Sequence, residues 1–100
     1  MDVTVPLLEN YLQTLYSGRV DAQSLFMKLV EEIGETAEVL NQMTGRKASN
    51  EEDLQAALGS ELCDVIHYTV AIAAVNGLDL NEMLLKKIAQ LLKNIIVKST

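Results

Sequence analysis

The sequence predicts an all-α protein in which a single domain, residues 1–100, folds as an antiparallel four-helix bundle. Three observations predict this fold class. The residues that dominate the chain are Leu, Ala, Glu, Lys, Met and Gln, a mixture that favours helix. No stretch of alternating polar and apolar residues competes for a strand. The segments between the apolar-periodic stretches are short, and short connections make consecutive helices antiparallel neighbours.

The first two predicted helices are bounded by turn and cap residues. The first covers about residues 5–16 and ends at the Ser17-Gly18 pair, because such a pair typically marks a turn. The second covers about residues 22–41. Asp21 is its predicted N-cap, since an aspartate there can accept hydrogen bonds from the backbone N–H groups of the first turn.

The third predicted helix covers about residues 50–76. Ser49 and Glu52 have the spacing of a capping box, in which each side chain accepts a hydrogen bond from the other residue's backbone N–H. Gly77 is predicted to close the helix, because glycine readily adopts the left-handed conformation that ends one.

The fourth predicted helix begins at Asp79, with Glu82 as its capping-box partner, and runs to the end of the chain. Its later turns carry lysines, whose positive charge complements the helix dipole. These residues are Lys86, Lys87, Lys93 and Lys98.

Charge and composition exclude several classes of function. The net charge of −6 argues against binding to nucleic acid or to an anionic membrane, because both rely on clustered Lys and Arg. A single cysteine, Cys63, excludes an intramolecular disulfide. The N-terminus lacks the pattern of a signal peptide, and the apolar stretch over residues 65–75 is too short to span a bilayer. We therefore expect a soluble cytoplasmic protein.

Acidic residues lie close to the apolar face of the second helix. At about 100° per residue, that face is predicted to contain the following side chains: Leu25, Leu29, Ile33, Ala37 and Leu40. Glu31, Glu35 and Glu38 lie on the opposite side, whereas Glu32 falls at the edge of the apolar face, one turn before Glu35. A solvated acidic face explains Glu31 and Glu38 well but explains Glu32 less well.

The third helix strengthens this observation. Glu61 interrupts an apolar row, and Asp64 borders the same row one turn later. The apolar residues of the row are Leu54, Ala57, Leu58, Val65, Tyr68 and Ile72. An ionised carboxylate without a partner is costly to bury, and no Lys or Arg occurs between residues 48 and 85. A raised pKa, a basic group from elsewhere or a bound cation can resolve this cost, and carboxylate oxygens suit Mg²⁺ or Mn²⁺.

The same residues resemble a known family. The segments LVEEIGETAE, residues 29–38, and ELCDVIHY, residues 61–68, carry an EExxE motif followed by ExxD. This pattern resembles the MazG-like nucleotide pyrophosphohydrolases, which form the all-α NTP pyrophosphatase superfamily together with dimeric dUTPases. The resemblance covers about residues 15–88. It implies that the divalent metal is held by Glu32, Glu35, Glu61 and Asp64.

The resemblance also implies an activity. Members of the family cleave a nucleoside triphosphate between the α and β phosphates, releasing monophosphate and pyrophosphate, and many remove non-canonical nucleotides. Glu35 or Glu38 is then expected to assist the attacking water, with Glu31 as an alternative. The cofactor is expected to be Mg²⁺, with Mn²⁺ as the alternative. Family members assemble as homodimers or homotetramers, so a second subunit is expected to complete the bundle.

Four residues are candidates for substrate binding by the same resemblance. Tyr16 and Tyr68 stand near positions where relatives place aromatic residues, although Tyr16 is equally explained as a tyrosine that covers the core. Arg19 can meet a phosphate or serve as a surface arginine. Lys87 matches a family lysine, but Leu91 replaces the asparagine expected four residues later, and no arginine follows. Lys87 therefore either contacts phosphate, within the chain or across a subunit boundary, or complements the helix dipole.

Three other classes of function are alternatives to a nucleotide pyrophosphohydrolase. A redox dimetal bundle requires two Glu-x-x-His motifs, and the chain has one histidine, His67. His67 is expected to be a core or interface residue, with a role as a fifth metal ligand as the alternative. A non-catalytic regulatory protein that kept the metal and nucleotide site is the main rival, because the fourth helix departs from the family pattern. A purely structural bundle is the last alternative.

Overall fold

The computed structural model describes residues 1–45 and 53–99, which form four α-helices and no strand. The helices are α1 (Val5–Tyr16), α2 (Ala22–Met43), α3 (Leu54–Val75) and α4 (Leu80–Ser99). The predicted all-α, four-helix fold is therefore confirmed.

Local hydrogen bonds define the ends of the first two helices. α1 begins after Thr4, whose hydroxyl accepts a hydrogen bond from the backbone N–H of Leu7 at 3.2 Å, and it has the predicted bounds. α2 begins after Asp21, whose carboxylate accepts from the backbone N–H of Ser24 at 2.7 Å. The predicted N-cap is thus confirmed, and α2 extends two residues beyond the predicted end, to Met43.

The third helix begins later than the sequence predicts. Asp53 is its N-cap and accepts a hydrogen bond from the backbone N–H three residues on at 2.9 Å, so the described helix starts at Leu54 rather than near Asn50. The capping box predicted for Ser49 and Glu52 lies outside the described residues.

Gly77 ends α3 as predicted, with a left-handed φ of +67°. The backbone N–H of Gly77 donates to Ala74 at 3.2 Å, and that of Leu78 donates to Ala73 at 3.0 Å. This paired pattern is a Schellman motif, which supplies donors to carbonyl groups that the last helical turn leaves free.

The first turn of α4 is held by two carboxylates. Asp79 accepts a hydrogen bond from the backbone N–H of Glu82 at 3.0 Å. Glu9, on α1, accepts one from the backbone N–H of Leu80 at 3.1 Å. α1 therefore anchors the start of α4, since helices leave their first N–H groups without partners of their own.

α3 is the central helix and packs against both α1 and α2. Near its end it forms a core with Leu12 of α1 and Leu25 of α2, both of which are fully buried or nearly so. Earlier in α3, Glu61 meets Glu32, which lies two turns after Leu25 on α2. The α3 members of the core are Val70, Ala71 and Ala74.

The buried face of α2 differs from the predicted one. Ile33 is 52% exposed and Leu40 is 44% exposed, and Ala37 is also exposed, so these three residues are not core residues within the chain. The buried or partly buried stripe is instead Leu25, Leu29, Glu32, Thr36 and Val39. The prediction grouped the apolar residues of α2 by their angle at about 100° per residue, whereas contact with α3 selects the alternating three- and four-residue spacing of a helix seam.

α4 extends away from the other helices. It contacts them mainly through α1, and its apolar side chains remain exposed along its length. The radius of gyration is 17.0 Å, compared with about 13 Å for a compact chain of this size. A single chain therefore leaves one amphipathic helix largely uncovered.

By length and composition, α3 is apolar enough to cross a membrane. It is also the central helix of this bundle, with Glu61 and Asp64 directed toward the acidic cluster described below. The central helix of a water-soluble protein commonly has the same length and composition.

Candidate metal centre

Glu32 lies in the middle of the buried stripe of α2. Its neighbours along the stripe are Leu29 and Thr36, and the Thr36 hydroxyl donates to the Glu32 backbone carbonyl at 2.7 Å. The Oε2 atom of Glu32 is buried and has no hydrogen-bond partner among the described residues. The sequence placed Glu32 at the edge of the apolar face, and the structure brings it to the centre.

Glu61 and Asp64 face Glu32 from α3. They lie one helical turn apart, so their side chains project from the same side of the helix. One carboxylate oxygen from each of the three residues lies within 4.8 Å of the other two. The Oε2 atom of Glu61, like that of Glu32, is buried and lacks a hydrogen-bond partner in the described chain.

Glu35, the fourth predicted ligand, borders this cluster without belonging to the set of oxygens within 4.8 Å. It is exposed and lies one turn after Glu32 on α2. Its negative charge raises the pKa of both Glu32 and Glu61, so it is electrostatically part of the site. Its role as a ligand stays a prediction.

The crowding of carboxyl groups raises two pKa values. The pKa of Glu61 rises from 4.5 to about 7, chiefly because its protonated form can donate hydrogen bonds to Glu32 and Glu35; burial and the charges of the same two residues add to this. The pKa of Glu32 is also raised, first by burial and then by the charges of Glu35 and Asp64, although a hydrogen bond from Glu61 opposes the shift. The cluster thus resists carrying its full negative charge.

These residues fit a divalent cation. Two buried carboxylate oxygens without a donor need either a shared proton or a positive charge near them. Three carboxylates within 4.8 Å supply oxygen ligands only, which is the donor set of Mg²⁺, Mn²⁺ or Ca²⁺ rather than of a thiolate-bound metal. Glu32, Glu61 and Asp64 are therefore the residues that could hold the ion.

The two further candidate catalytic carboxylates lie elsewhere on α2. Glu31 is 59% exposed and forms an ion pair with Lys28, whose Nζ lies 3.3 Å from its Oε2. Glu38 is exposed and lies almost one turn beyond Glu35. The structure does not include either one in the group of converging oxygens, and their catalytic roles stay predictions.

Tyr16, His67 and Tyr68 form an aromatic cluster beside the core. The Tyr16 hydroxyl lies 2.8 Å from Nε2 of His67, and His67 contacts both tyrosine rings edge-on. Burial, and next the charge of Tyr68, raise the pKa of Tyr16. Both tyrosines pack against the core, which matches the structural role considered for Tyr16. His67 is engaged by Tyr16, as expected of a core histidine.

Arg19 and Lys87 lie apart from the carboxylates. Arg19 is exposed in the turn between α1 and α2. Lys87 is exposed on α4, which contacts mainly α1, whereas the acidic cluster lies between α2 and α3. Phosphate binding by either residue stays a prediction.

The sequence analysis did not single out Lys28 or Glu9. A hydrogen bond to Glu31, and next the negative charge of Glu31, raise the pKa of Lys28 most. Smaller contributions come from Tyr68 and Glu32, so the Lys28 ammonium group borders the acidic site. Its spacing of four residues from Glu32 was a visible signal, since such residues share a helix face. For Glu9, which accepts a hydrogen bond from α4, the sequence offered no such signal.

Comparison with known proteins identifies the family. The family model described as the MazG nucleotide pyrophosphohydrolase domain matches residues 21–95. No curated protein matches the sequence. Among solved structures, the fold is similar to the crystal structure of iMazG from Vibrio DAT 722, with a TM-score of 0.66 and 22% identity over 93% of this chain and 96% of that chain. The matched residues include all four carboxylates at positions 32, 35, 61 and 64, and the chain belongs to the MazG nucleotide pyrophosphohydrolase domain family.

Proposed function

We propose that this protein is a Mg²⁺-dependent hydrolase that cleaves nucleoside or deoxynucleoside triphosphates between the α and β phosphates. The products are a monophosphate and pyrophosphate, and the proposed role is the removal of non-canonical nucleotides. Family membership implies nucleotide pyrophosphohydrolase activity. The observation that carries the proposal is the convergence of Glu32, Glu61 and Asp64 within 4.8 Å, with two buried oxygens that lack a donor.

The proposed metal ligands are these three carboxylates together with Glu35. When bound, Mg²⁺ neutralises charge on the protein and on the phosphates, and it lowers the pKa of a coordinated water. Mn²⁺ has similar ligand preferences and is the alternative ion. The residues of α2 and α3 fix the positions of the ligands, because both helices are held by the shared core around Leu25 and Ala71.

Glu35 or Glu38 is proposed to orient the attacking water and accept its proton, with Glu31 as the third candidate. Glu35 borders the cluster and has one face toward solvent, so it can reach a water that the buried Glu32 oxygen cannot. A carboxylate in that position acts as a general base when it lies within hydrogen-bonding distance of the water.

Tyr16 and Tyr68 are proposed to line the nucleobase site, and Arg19 and Lys87 to contact phosphate. Tyr68 is the better supported of the tyrosines, since it lies near Lys28, which borders the acidic cluster. The Tyr16 hydroxyl is occupied by His67, so a contribution from Tyr16 to base binding would come from its ring face. The protein is proposed to be cytoplasmic and to act as a homodimer or homotetramer.

One feature favours a second candidate function, a non-catalytic regulatory protein that binds metal and nucleotide. Leu91 on α4 occupies the position where relatives carry an asparagine, and its side chain is 61% exposed. The metal ligands lie on other helices and are unaffected by this change, so metal binding can persist without turnover.

The test is pyrophosphate release from a panel of canonical, methylated and oxidised nucleoside triphosphates with Mg²⁺. We expect release from at least one substrate and a loss of about 100-fold or more in kcat for Glu61→Gln, since metal sites typically supply several kcal/mol of stabilisation to the transition state. Glu82→Gln, an exposed glutamate on α4, is the matched control and should keep full activity. Binding of Mg²⁺ and nucleotide with no product from any substrate would support the regulatory function instead.

A further inference from the structure

A single lysine lies on the two helices that form the acidic cluster. α2 carries four carboxylates and α3 carries two, whereas the basic residues of both helices together amount to Lys28 alone. A polyphosphate that approaches these carboxylates is repelled by all of them, and each cation beside them offsets part of that repulsion. The position of Lys28 therefore affects how the site can accept a nucleotide.

Lys28 lies at the end of the cluster that is nearer the core. It comes one helical turn before Glu32 on α2, as Tyr68 comes one turn after Asp64 on α3, and residues four apart share a helix face. Glu31 raises the pKa of Lys28 most, and Tyr68 and Glu32 add to the shift, so the ammonium group lies near side chains of both helices. Because Tyr68 packs against the core, Lys28 and Tyr68 border the cluster at the same end.

The ammonium group of Lys28 is accessible to a ligand. Its Nζ lies 3.3 Å from Oε2 of Glu31, and both side chains are more than half exposed. The pair borders a cavity of about 310 Å³, which Ser24 and Met27 also line. An exposed ion pair of this kind adds little to stability, so the exchange of Glu31 for another anion costs correspondingly little.

We propose that Lys28 is a substrate-binding residue whose ammonium group exchanges Glu31 for a phosphate oxygen of the nucleotide. The inference rests on the function proposed above and adds a phosphate contact on α2, beside the acidic cluster. A lysine ammonium group is a compact positive charge well suited to phosphate. Adjacent phosphates share one bridging oxygen, so a polyphosphate held at the carboxylates has a further phosphate close by, and Lys28 lies only one turn, about 6 Å along the helix axis, from Glu32.

A lysine in this position has effects of opposite sign on two ligands. Its positive charge attracts phosphate but repels a divalent cation bound to the neighbouring carboxylates. Lys28→Met should therefore weaken the binding of polyphosphate and strengthen the binding of Mg²⁺ alone. Replacement of a lysine that only maintained the structure of the site would weaken the binding of both ligands.

The experiment measures both affinities by isothermal titration calorimetry at pH 8. Inorganic tripolyphosphate is the probe, because it has no base and does not depend on which nucleotide is the substrate. With saturating Mg²⁺, Lys28→Met should bind tripolyphosphate about tenfold more weakly than the wild type, whereas Lys28→Arg, which keeps the charge, should stay within about threefold. Lys93→Met removes the same charge from an exposed position on α4 and should bind as the wild type does. Without tripolyphosphate, Lys28→Met should bind Mg²⁺ about twofold more tightly.

Three results would overturn the role of Lys28: a wild-type protein that does not bind tripolyphosphate in Mg²⁺, a Lys28→Met variant that binds it as tightly as the wild type, or a variant that loses affinity for tripolyphosphate and for Mg²⁺ together. Weaker binding of tripolyphosphate with retained or stronger binding of Mg²⁺ supports it. None of these readouts requires turnover, so a failure here leaves the proposed hydrolase activity to be decided by pyrophosphate release. Conversely, a protein that binds tripolyphosphate through Lys28 but cleaves no nucleotide would keep this contact and lose the proposed activity.

Discussion

Binding of a divalent ion should release protons from the acidic cluster, in an amount that depends on pH. The pKa of Glu61 is about 7 without a metal, compared with 4.5 for an ordinary glutamate. At pH 6 the Glu61 carboxyl is then about nine-tenths protonated, at pH 7 about half, and at pH 8 about one-tenth. A metal ligand must be deprotonated, so these fractions give the protons that Glu61 releases on binding.

The assay is isothermal titration calorimetry with Mg²⁺ in two buffers that have different enthalpies of ionisation. The difference in observed heat gives the protons released, which we expect to fall from about 0.9 at pH 6 to about 0.1 at pH 8. Because only the deprotonated form binds, affinity should rise about tenfold over the same interval. The raised pKa of Glu32 adds to the release in the same direction.

A variant can separate this explanation from a general effect of pH. Glu35→Gln removes a charge that raises the pKa of Glu61, so the release curve should move to lower pH. Glu82→Gln, on α4, should leave the curve unchanged. Equal heats in both buffers at pH 6, with the same affinity at pH 6 and pH 8, would refute the link between crowded carboxylates and metal binding.

Three further predictions concern stability. In EDTA, the free energy of unfolding should fall as pH rises from about 4.5 to beyond 7, because the folded state favours the protonated form of Glu61; thermal melts should show this decline, and Glu61→Gln should flatten it. Tyr16→Phe should lower the free energy of unfolding by about 1 kcal/mol, since it removes the hydrogen bond to His67. The measurement is a urea titration, and an unchanged free energy of unfolding would show that this bond contributes nothing. Leu12→Ala should cost about 2–5 kcal/mol, because Leu12 is 0% exposed at the centre of the core; the same truncation of the half-exposed Ile33 should cost much less, and equal losses in urea unfolding would contradict this assignment of the core.

The limits of α1, the start of α2, the end of α3 and the acidic residues of α3 were predictable because their causes are local. Asp21 caps α2 through a backbone N–H three residues away, and Gly77 ends α3 through its own left-handed conformation. The partly buried row of α3 residues that contains Glu61 was also predictable. Because α1 and α2 both contact this helix, most of its faces meet a neighbouring helix. Sequence spacing alone was therefore sufficient to bring Glu61 and Asp64 to one face.

The orientation of α2 was less predictable, because it depends on which face α3 contacts. Ile33 and Leu40 have the hydrophobicity of core residues, yet they remain exposed, and Glu32 takes the buried position between Leu29 and Thr36. The exposure of α4 could not be predicted from its sequence either, since an amphipathic pattern indicates that a face will be covered but not by which chain. The hydrogen bond from Leu80 to Glu9 joins residues distant in sequence and had no local signal.

The place of Glu32 in the stripe that α3 contacts has a consequence for directed evolution. Leucine at this position would continue the apolar series of Leu25, Leu29 and Val39 and remove a buried oxygen that lacks a donor. A screen that rewards only heat resistance, carried out without divalent ions, should therefore enrich apolar replacements of Glu32, and each such clone should lose its affinity for the ion. Thermostabilisation of this scaffold thus calls for a screen that retains ion binding as a second criterion.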